Sequence, residues 1–161
     1  MVLKLFVGGL AVLALLLTVR LVLLARQSKT PHTPKNRTAE TVTELSPCPN
    51  RPNCVSSVEP EGSSRRVEPF EIDASPETIP DALAEAVGGM PGARIVTNQD
   101  GYLHAEFTSR VFGFVDDLEL LLDETTGLVH VRSASRAGHS DLGANRRRVE
   151  ALRARLARAE T

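Results

Sequence analysis

The chain has 161 residues, with 19 lysines and arginines against 20 aspartates and glutamates, and a formal net charge of -1 at pH 7. This length suits one ordinary domain, and near-neutrality excludes a uniformly basic nucleic-acid coat or an acidic tail, so we expect no nucleic-acid partner. The average hides a concentration of apolar residues, because the first 25 residues hold 20 of them and only two charged side chains. The sequence therefore predicts a short apolar segment followed by one soluble domain.

Residues 1–26 are predicted to form a transmembrane anchor. Within the stretch 5–25, 17 of 21 residues are apolar, and a helix of that length spans roughly 32 Å, which matches the hydrocarbon core of a bilayer. A cleaved signal peptide is the alternative, but no Ala-x-Ala cleavage site follows the apolar run. We favour an uncleaved single-pass anchor, with the lipid bilayer as its partner through residues 5–25.

Residues 27–47 are predicted to be a flexible linker, since they are rich in serine, threonine, proline and lysine and poor in large apolar side chains. Both cysteines follow at once, in Cys48-Pro-Asn-Arg-Pro-Asn-Cys54, where two prolines limit how far the loop can open. We favour a local disulfide between Cys48 and Cys54. Two free thiols and a metal site are the alternatives, although the histidines lack zinc-site spacing.

Two features predict opposite membrane topologies. The residues flanking the apolar segment on its carboxyl side are basic, which favours a cytoplasmic domain by the positive-inside tendency; they are Arg20, Arg26, Lys29, Lys35 and Arg37. A disulfide instead indicates an oxidising compartment. We give the cysteines more weight, because a single-span charge bias can be overridden, and keep the cytoplasmic face as the alternative.

The domain, residues 48–161, shows strand and helix patterns in the order β-α-β-β-β-β-α. An edge strand is predicted at 67–72, followed by a helix that Ser75 caps and Pro76 begins, and that Gly88-Gly89 ends. Strands at 93–97 and 102–108 flank a hairpin turn ending in Gly101.

Strands at 116–123 and 128–134 come next, and then a last helix starting near Asp141 or Leu142, with an apolar stripe formed by Val149, Leu152 and Leu156. Because short turns join consecutive strands, the sheet should be mainly antiparallel, with about five strands and two packing helices. The predicted fold class is α+β.

Three separated motifs resemble those of the family known as domain of unknown function 1499: Cys48-Pro-x-x-Pro-Asn-Cys-Val-Ser-Ser57, Phe112-Gly-Phe-Val-Asp-Asp117 and Ser135-Arg-x-Gly-x-Ser-Asp-x-Gly-x-Asn-Arg146. The likeness covers roughly residues 46–157. Members of that family are typically bacterial envelope or plastid proteins with no agreed activity. The resemblance implies one compact domain and an envelope location, and it transfers no catalytic residue. Together with the cysteine pair, it leads us to expect the domain on the periplasmic side of the bacterial inner membrane. Unlike the family's lipoproteins, this chain has no lipobox.

The segment from Ser135 to Arg146 is the candidate ligand-binding site. Free N–H groups at the start of a helix attract anions, and flanking arginines could close over a phosphate or carboxylate. We assign this candidate anion site to Arg136, Ser140, Asp141, Asn145 and Arg146. In the alternative, purely structural interpretation, Ser140 or Asp141 caps the helix and an arginine pairs with an acid of the strand at 116–119. The expected ligand is an anionic or amphipathic envelope lipid, or a partner protein.

Two patterns raise the alternative of an enzyme. His139, Ser140 and Asp141 are contiguous, but three neighbours in one loop cannot readily chain their hydrogen bonds as a hydrolase triad does. His104 and His130 would form a metal site if their strands lay opposite each other, although a solvated outer sheet face is the favoured interpretation. We assign no catalytic residue, no metal ligand and no cofactor; a small hydrolase, a metal-dependent enzyme and a structural subunit of a membrane complex remain alternatives.

Two further features concern the surface. Phe112 and Phe114 flank a glycine and are either core residues, which we favour, or an exposed apolar lip suited to lipid contact. Residues 99–124 hold seven acids and one arginine, whereas residues 136–161 hold seven arginines and three acids. We expect these two segments to pair with each other, and the alternative is a basic patch facing anionic lipids.

Overall fold

A computed structural model describes residues 2–31, 37–38 and 41–159. In chain order the elements are helix α1 (Val2–Ser28), strands β1 (Arg37–Thr38), β2 (Thr41–Val42), β3 (Cys54–Ser56) and β4 (Phe70–Glu71), helix α2 (Ile79–Gly88), strands β5 (Ala93–Gln99), β6 (Tyr102–Thr108), β7 (Val115–Asp123) and β8 (Leu128–Ser135), and helix α3 (Ala144–Ala159). The α+β fold class is confirmed.

The main sheet is antiparallel and has six strands, in the order β3-β8-β7-β6-β5, with β4 also paired to β8. Strands β5 and β6 form the predicted hairpin, in which Asp100 (φ 51°) and Gly101 (φ 71°) both adopt the left-handed conformation that a tight two-residue turn requires. Strand β3 was not predicted, because three residues directly after a cysteine-proline loop carry no periodicity. Strand β4 is shorter than predicted and begins immediately after Pro69, which lacks the N–H that a ladder needs.

One face of the sheet packs on α2 and α3 and forms the hydrophobic core. Alternate residues of the strands supply it, as do the predicted stripe of α3 and one face of α2; the fully buried members include Leu118, Leu120, Val129, Val131, Val149, Leu152 and Val87. The core therefore lies between the sheet and the two helices, which leaves the opposite face of the sheet to be covered by other parts of the chain.

Both helices of the domain start later than predicted. The N–H groups of Thr78 and Ile79 bond to the carbonyl of Ser75, so that residues 76–78 form a turn and α2 begins at Ile79. At the other helix, Leu142 (φ 53°) and Gly143 (φ 79°) lie in the left-handed region, which no α-helix tolerates, so α3 begins at Ala144.

Helix α1 is apolar, and its last two turns contact the domain. The segment Gly9–Ser28 is long and apolar enough to cross a membrane, with a mean hydropathy of 2.1. Residues 9–20 are exposed, whereas Ala25 and Ser28 are buried and the backbone N–H of Val115 donates to Oγ of Ser28 at 3.0 Å. The first residue of β7 therefore lies beside the last residue of α1 in space.

The segment predicted as a linker also contacts the domain at its carboxyl end. Val42 and Leu45 are buried and cluster with Tyr102 of β6, against which Leu121 of β7 packs. The parts of the predicted linker at 32–36 and 39–40 lie outside the described residues.

Candidate functional site

The sheet face opposite the helices carries ionisable side chains, and the structure buries most of them. We call it the polar sheet face; its members are Tyr102, His104 and Glu106 on β6, Asp117 and Glu119 on β7, and His130, Arg132 and Arg136 on β8 or directly after it. Asp117 is 2% exposed and Glu119 is 1% exposed. The prediction of a solvated outer face was wrong, because the end of α1 and the residues around Val42 and Leu45 fold against it.

Arg136 is the centre of the first ion cluster on this face. Its Nε and Nη2 donate to the two carboxylate oxygens of Asp117 at 2.8 and 2.7 Å, and Nη2 also donates to Glu106 at 2.7 Å. Its Nη1 donates to the backbone carbonyls of Ser28 (3.4 Å) and Thr30 (2.9 Å). A single guanidinium therefore joins two strands of the sheet to the end of α1.

These contacts shift the pKa values of the groups involved. Hydrogen bonds to Asp117, and then to Glu106, hold the pKa of Arg136 above its ordinary value despite burial. Burial alone would raise the pKa of Glu106, but the hydrogen bonds from Arg136 and from Arg94 outweigh it, so that the pKa of Glu106 lies below its ordinary value. Both groups are therefore charged at neutral pH.

A second cluster lies beside the first. The phenol of Tyr102 donates to one oxygen of Glu119 at 2.9 Å, and Nη1 of Arg132 donates to the other at 2.6 Å. Burial, reinforced by the negative charge of Glu119, raises the pKa of Tyr102. Among the residues that the structure describes, Nε of Arg132 is one of two buried side-chain atoms without a hydrogen-bond partner.

The two histidines of this face do not form a metal site. Strand β7 lies between them, and His104 is level with Glu119 whereas His130 is level with Leu121. Nε2 of His104 lies 2.7 Å from Oδ1 of Asp117, and Nδ1 of His130 lies 3.2 Å from Oγ of Ser57. Within the described part of the chain, no three His, Cys, Asp or Glu residues are placed to hold a metal ion.

Asn145, one of the predicted anion-site residues, is fully buried in the domain. Its Nδ2 donates to the carbonyl of Asn53 (3.0 Å) and to Oγ of Ser135 (3.0 Å), while its Oδ1 accepts from Ser133 (2.7 Å) and from Arg148. Asn53 lies in the loop closed by the Cys48–Cys54 disulfide, whose formation confirms the predicted pairing. Asn145 thus fastens the start of α3 to the disulfide loop.

Ser140 and Asp141 bind backbone N–H groups of their own loop. Oδ1 and Oδ2 of Asp141 accept from the N–H groups of Gly143 (3.0 Å) and Asn145 (2.7 Å), and Oγ of Ser140 accepts from the N–H of Leu142 (3.2 Å). Asp141 therefore caps the amino end of α3, as the structural interpretation of this loop expects. The neighbouring His139 is exposed and shares no hydrogen bond with either residue among the described contacts, so the three residues form no triad.

A cleft of ≈ 430 Å³ lies between the disulfide loop and the start of α3. We call it the arginine cleft; its walls include Pro52, Cys54, Arg65, Ser140, Asp141, Arg146 and Arg147. Nη2 of Arg146 donates to the carbonyls of Ser64 (2.7 Å) and Arg66 (2.9 Å), and Nη1 of Arg147 donates to the carbonyl of Leu142. Three of the five predicted site residues therefore line one cleft, and Arg136 and Asn145 lie outside it.

Arg65 and Arg147 line the cleft but were not among the predicted anion-site residues. Arg147 adjoins Arg146 in the sequence, so its place after the loop was a usable signal. Arg65 belongs to a part of the chain with no recognisable motif, and only the fold brings it to α3. Nε of Arg65 donates to Glu59 at 3.0 Å, whereas neither Arg146 nor Arg147 forms an ion pair within the described residues.

The acidic and basic segments of the sequence pair with each other in part. Arg148 donates to Asp116 at 2.7 Å and lies over the ring of Phe107, and Arg136 pairs with Asp117. Arg153 instead lies over the ring of Phe70 and donates to backbone carbonyls. Arg153 therefore contacts Phe70 and backbone carbonyls rather than the acidic strands.

A family model described as "Protein of unknown function (DUF1499)" matches residues 44–156 of the chain. These residues include the disulfide, the polar sheet face and the arginine cleft. The chain belongs to this family. No curated protein and no solved structure matches it. Within this DUF1499 domain, the contacts and charges of the residues themselves are thus the basis for any functional argument.

Replacing Arg136 with alanine should destabilise the DUF1499 domain by about 3–5 kcal/mol at pH 7, because it removes the guanidinium that binds both oxygens of the buried Asp117 and one oxygen of the half-buried Glu106. Glu106 has a lowered pKa in the folded state, so its contribution to stability is present above about pH 4 and is lost as the pH falls through the folded value. The loss caused by Arg136→Ala should therefore shrink between pH 7 and pH 3.

The matched control for that experiment is Arg94→Ala, which removes the other partner of Glu106 but from a side chain that is 68% exposed. We expect a loss of at most about 1 kcal/mol. The measurement is urea unfolding of the full chain in detergent, followed by circular dichroism. Equal losses in the two variants, or a loss in Arg136→Ala that does not change with pH, would contradict the role given to Arg136.

The single tyrosine of the chain should remain protonated well above pH 10 while the domain is folded, because burial and Glu119 raise the pKa of Tyr102. An unfolded tyrosine titrates near pH 10, so stability should fall as the pH rises beyond that value. The phenolate absorbance should thus appear only together with alkaline unfolding, whereas in denaturant it should appear near pH 10. A phenolate signal near pH 10 from a folded chain would show that Tyr102 is accessible to water.

Proposed function

We propose that the chain is a membrane-anchored domain, on the periplasmic side of the bacterial inner membrane, that binds an anionic envelope ligand in the arginine cleft without catalysing a reaction. The observation that carries this proposal is the cleft itself, where two guanidinium groups that lack a carboxylate partner within the described residues stand beside a disulfide loop. Three further arguments support it.

The contacts of α1 support an anchor that is retained rather than cleaved. Ser28 is buried, its hydroxyl accepts from Val115, and its carbonyl accepts from Arg136. A cleaved signal peptide would take these contacts away from the mature domain and leave part of the polar sheet face open. A helix whose end completes the ion cluster is better suited to a permanent anchor.

The disulfide supports the periplasmic side. Cys48 and Cys54 are joined, and such bonds persist in oxidising compartments and are rare in the cytoplasm. The basic residues near the end of α1 favour the opposite topology, but a charge bias around a single span can be overridden, so we give the disulfide more weight.

The charge of the cleft supports an anionic ligand. Arg146 and Arg147 present two positive charges, which carbonyl oxygens orient but do not neutralise. Asp141 is the acid in the wall of this cleft, and its oxygens already accept from the N–H groups of Gly143 and Asn145. A phosphate or carboxylate would therefore find guanidinium donors without a carboxylate partner on a wall that also includes Pro52, Cys54 and Val55.

The same geometry disfavours the hydrolase alternative. Ser140 accepts from a backbone N–H, Asp141 caps a helix, and His139 is exposed. The three side chains therefore do not form the linked hydrogen bonds of nucleophile, base and acid that an acyl-transfer mechanism requires.

Membrane topology is tested by fusing, after Thr161, a reporter enzyme that is active only when exported. We expect activity, and membrane association that survives alkaline extraction with α1 still attached to the domain. The control is the same fusion without residues 1–26, which should be inactive because it is not exported. Activity of a cytoplasmic reporter at the same site, in place of the exported one, would reverse the topology and undercut the disulfide argument.

Ligand binding is tested by titrating the full chain, held in nanodiscs of neutral lipid, with glycerol phosphate, the charged part of an anionic lipid headgroup. We expect saturable binding that weakens as salt is added, and a loss of about tenfold in affinity in Arg147→Gln, since one charge-assisted hydrogen bond is removed. The matched control is Arg158→Gln, which removes an exposed arginine of the same helix away from the cleft. Absence of saturable binding, or equal losses in both variants, would overturn the cleft assignment.

A further inference from the structure

Three of the large apolar side chains exposed on the domain lie in two loops. Val111 is 81% exposed and Phe112 is 43% exposed, in the loop from β6 to β7, and Leu142 is 85% exposed, in the loop from β8 to α3. The prediction that Phe112 is a core residue was therefore wrong, and only its neighbour Phe114 is half-buried. Single exposed apolar residues are common on proteins, but a group of them in adjoining loops calls for a partner surface.

The two loops leave the same end of the sheet. The start of β7 pairs with the end of β8, where Asp116 lies opposite Ser135 and the N–H of Arg136 points to the carbonyl of Val115. The loop that carries Phe112 enters β7 at this point, and the loop that carries Leu142 leaves β8 at this point. Their apolar side chains thus belong to one end of the domain.

Helix α1 terminates at that same end. Val115 donates to Ser28, and Arg136 donates to Ser28 and Thr30. The apolar run of α1 stops at Ala25, and three residues of helix advance only about 4.5 Å, so the contact with Val115 lies about one turn beyond the apolar run. The contact extends back along the helix, because Ala25 is buried and Leu21 and Leu24 are half-buried.

The loop from β6 to β7 is held in shape by its own hydrogen bonds. The N–H of Ser109 donates to the carbonyl of Phe114 (2.8 Å), the N–H of Phe114 donates to Oγ of Ser109 (3.0 Å), and the rings of Phe112 and Phe114 meet edge to face at 6.2 Å. Gly113, with φ of 68°, supplies the conformation that the turn needs. The loop therefore presents Val111 and Phe112 in a fixed arrangement rather than as a loose segment.

Leu142 is exposed in a conformation that is costly for its residue type. Its φ of 53° lies in the left-handed region, which large side chains without local polar groups seldom adopt. A leucine that is both strained and exposed adds nothing to the core, so its use is to be sought outside the domain.

We propose that these two loops dock into the surface of the lipid bilayer beside α1, with Val111, Phe112 and Leu142 at the boundary between headgroups and acyl chains. The exposed basic residues Arg26, Lys29 and Arg110 flank this surface and match an anionic headgroup layer. The proposal rests on the membrane anchoring argued above and is independent of ligand binding in the arginine cleft.

The test uses the absence of tryptophan from the chain. Phe112→Trp and Leu142→Trp each introduce a single fluorophore into the full chain, which is reconstituted in nanodiscs of phosphatidylcholine and phosphatidylglycerol with or without bromine on the acyl chains. Brominated chains quench tryptophan on contact. We expect blue-shifted emission and strong quenching in both variants.

Two control variants make the result decisive. Val58→Trp places tryptophan at a site that is 44% exposed, close to the 43% of Phe112, but beside Asp123 and Leu122 at the opposite end of β7; it should not be quenched. Leu13→Trp reports on α1 and should be quenched if the helix spans the bilayer. Quenching of Leu13→Trp without quenching of either loop variant would overturn the docking surface and leave the anchor standing. Absence of quenching in Leu13→Trp would refute the anchor itself.

Discussion

The guanidinium of Arg136 makes the contact on which the arrangement of α1 and the domain depends. It is largely shielded from solvent and binds two carboxylates from different strands, the buried Asp117 and the half-buried Glu106, while Nη1 donates to the carbonyls at the end of α1. An arginine so largely shielded from solvent must satisfy most of its donors within the protein, because a charge left unpaired there is costly. The hydrogen bonds of Arg136 therefore hold the end of α1 against the sheet, and they also join an acid of β6 to an acid of β7 on this face.

Much of the fold followed from local patterns in the sequence. The hairpin at Gly101, the strands β7 and β8 and the apolar stripe of α3 carry strong periodicity and turn signals, and the structure confirms them. The failures were at the helix starts and at β3. Helix starts depend on dihedral angles such as that of Leu142, which periodicity does not encode, and β3 exists because β8 offers it an edge to pair with.

The buried polar face could not be predicted by the rule that polar residues alternate toward solvent. That rule assumes that nothing covers the outer face of a sheet. Here Leu45 and the end of α1 cover it, and a balanced set of arginines and acids allows the charges to be buried. One signal was available in the sequence: Asp117, Arg136 and Glu106 follow the same alternation as Tyr102 and His104, so the paired charges were already on one face. What the sequence lacked was any indication that the chain before Cys48 returns to that face.

The return of the chain to the polar sheet face also changes how a membrane-bound domain of this kind would move. Ser28 is fixed to β7, while Val42 and Leu45 are fixed beside Tyr102, so the chain contacts the same face of the sheet at both of these points. A domain joined to its membrane helix by a flexible linker alone can take many orientations above the bilayer and meets its ligands from every direction. A domain that packs against its own membrane helix keeps one distance from the bilayer and one orientation to it. It then moves only by lateral diffusion and by rotation about the membrane normal. Encounters at its surface then become a two-dimensional search.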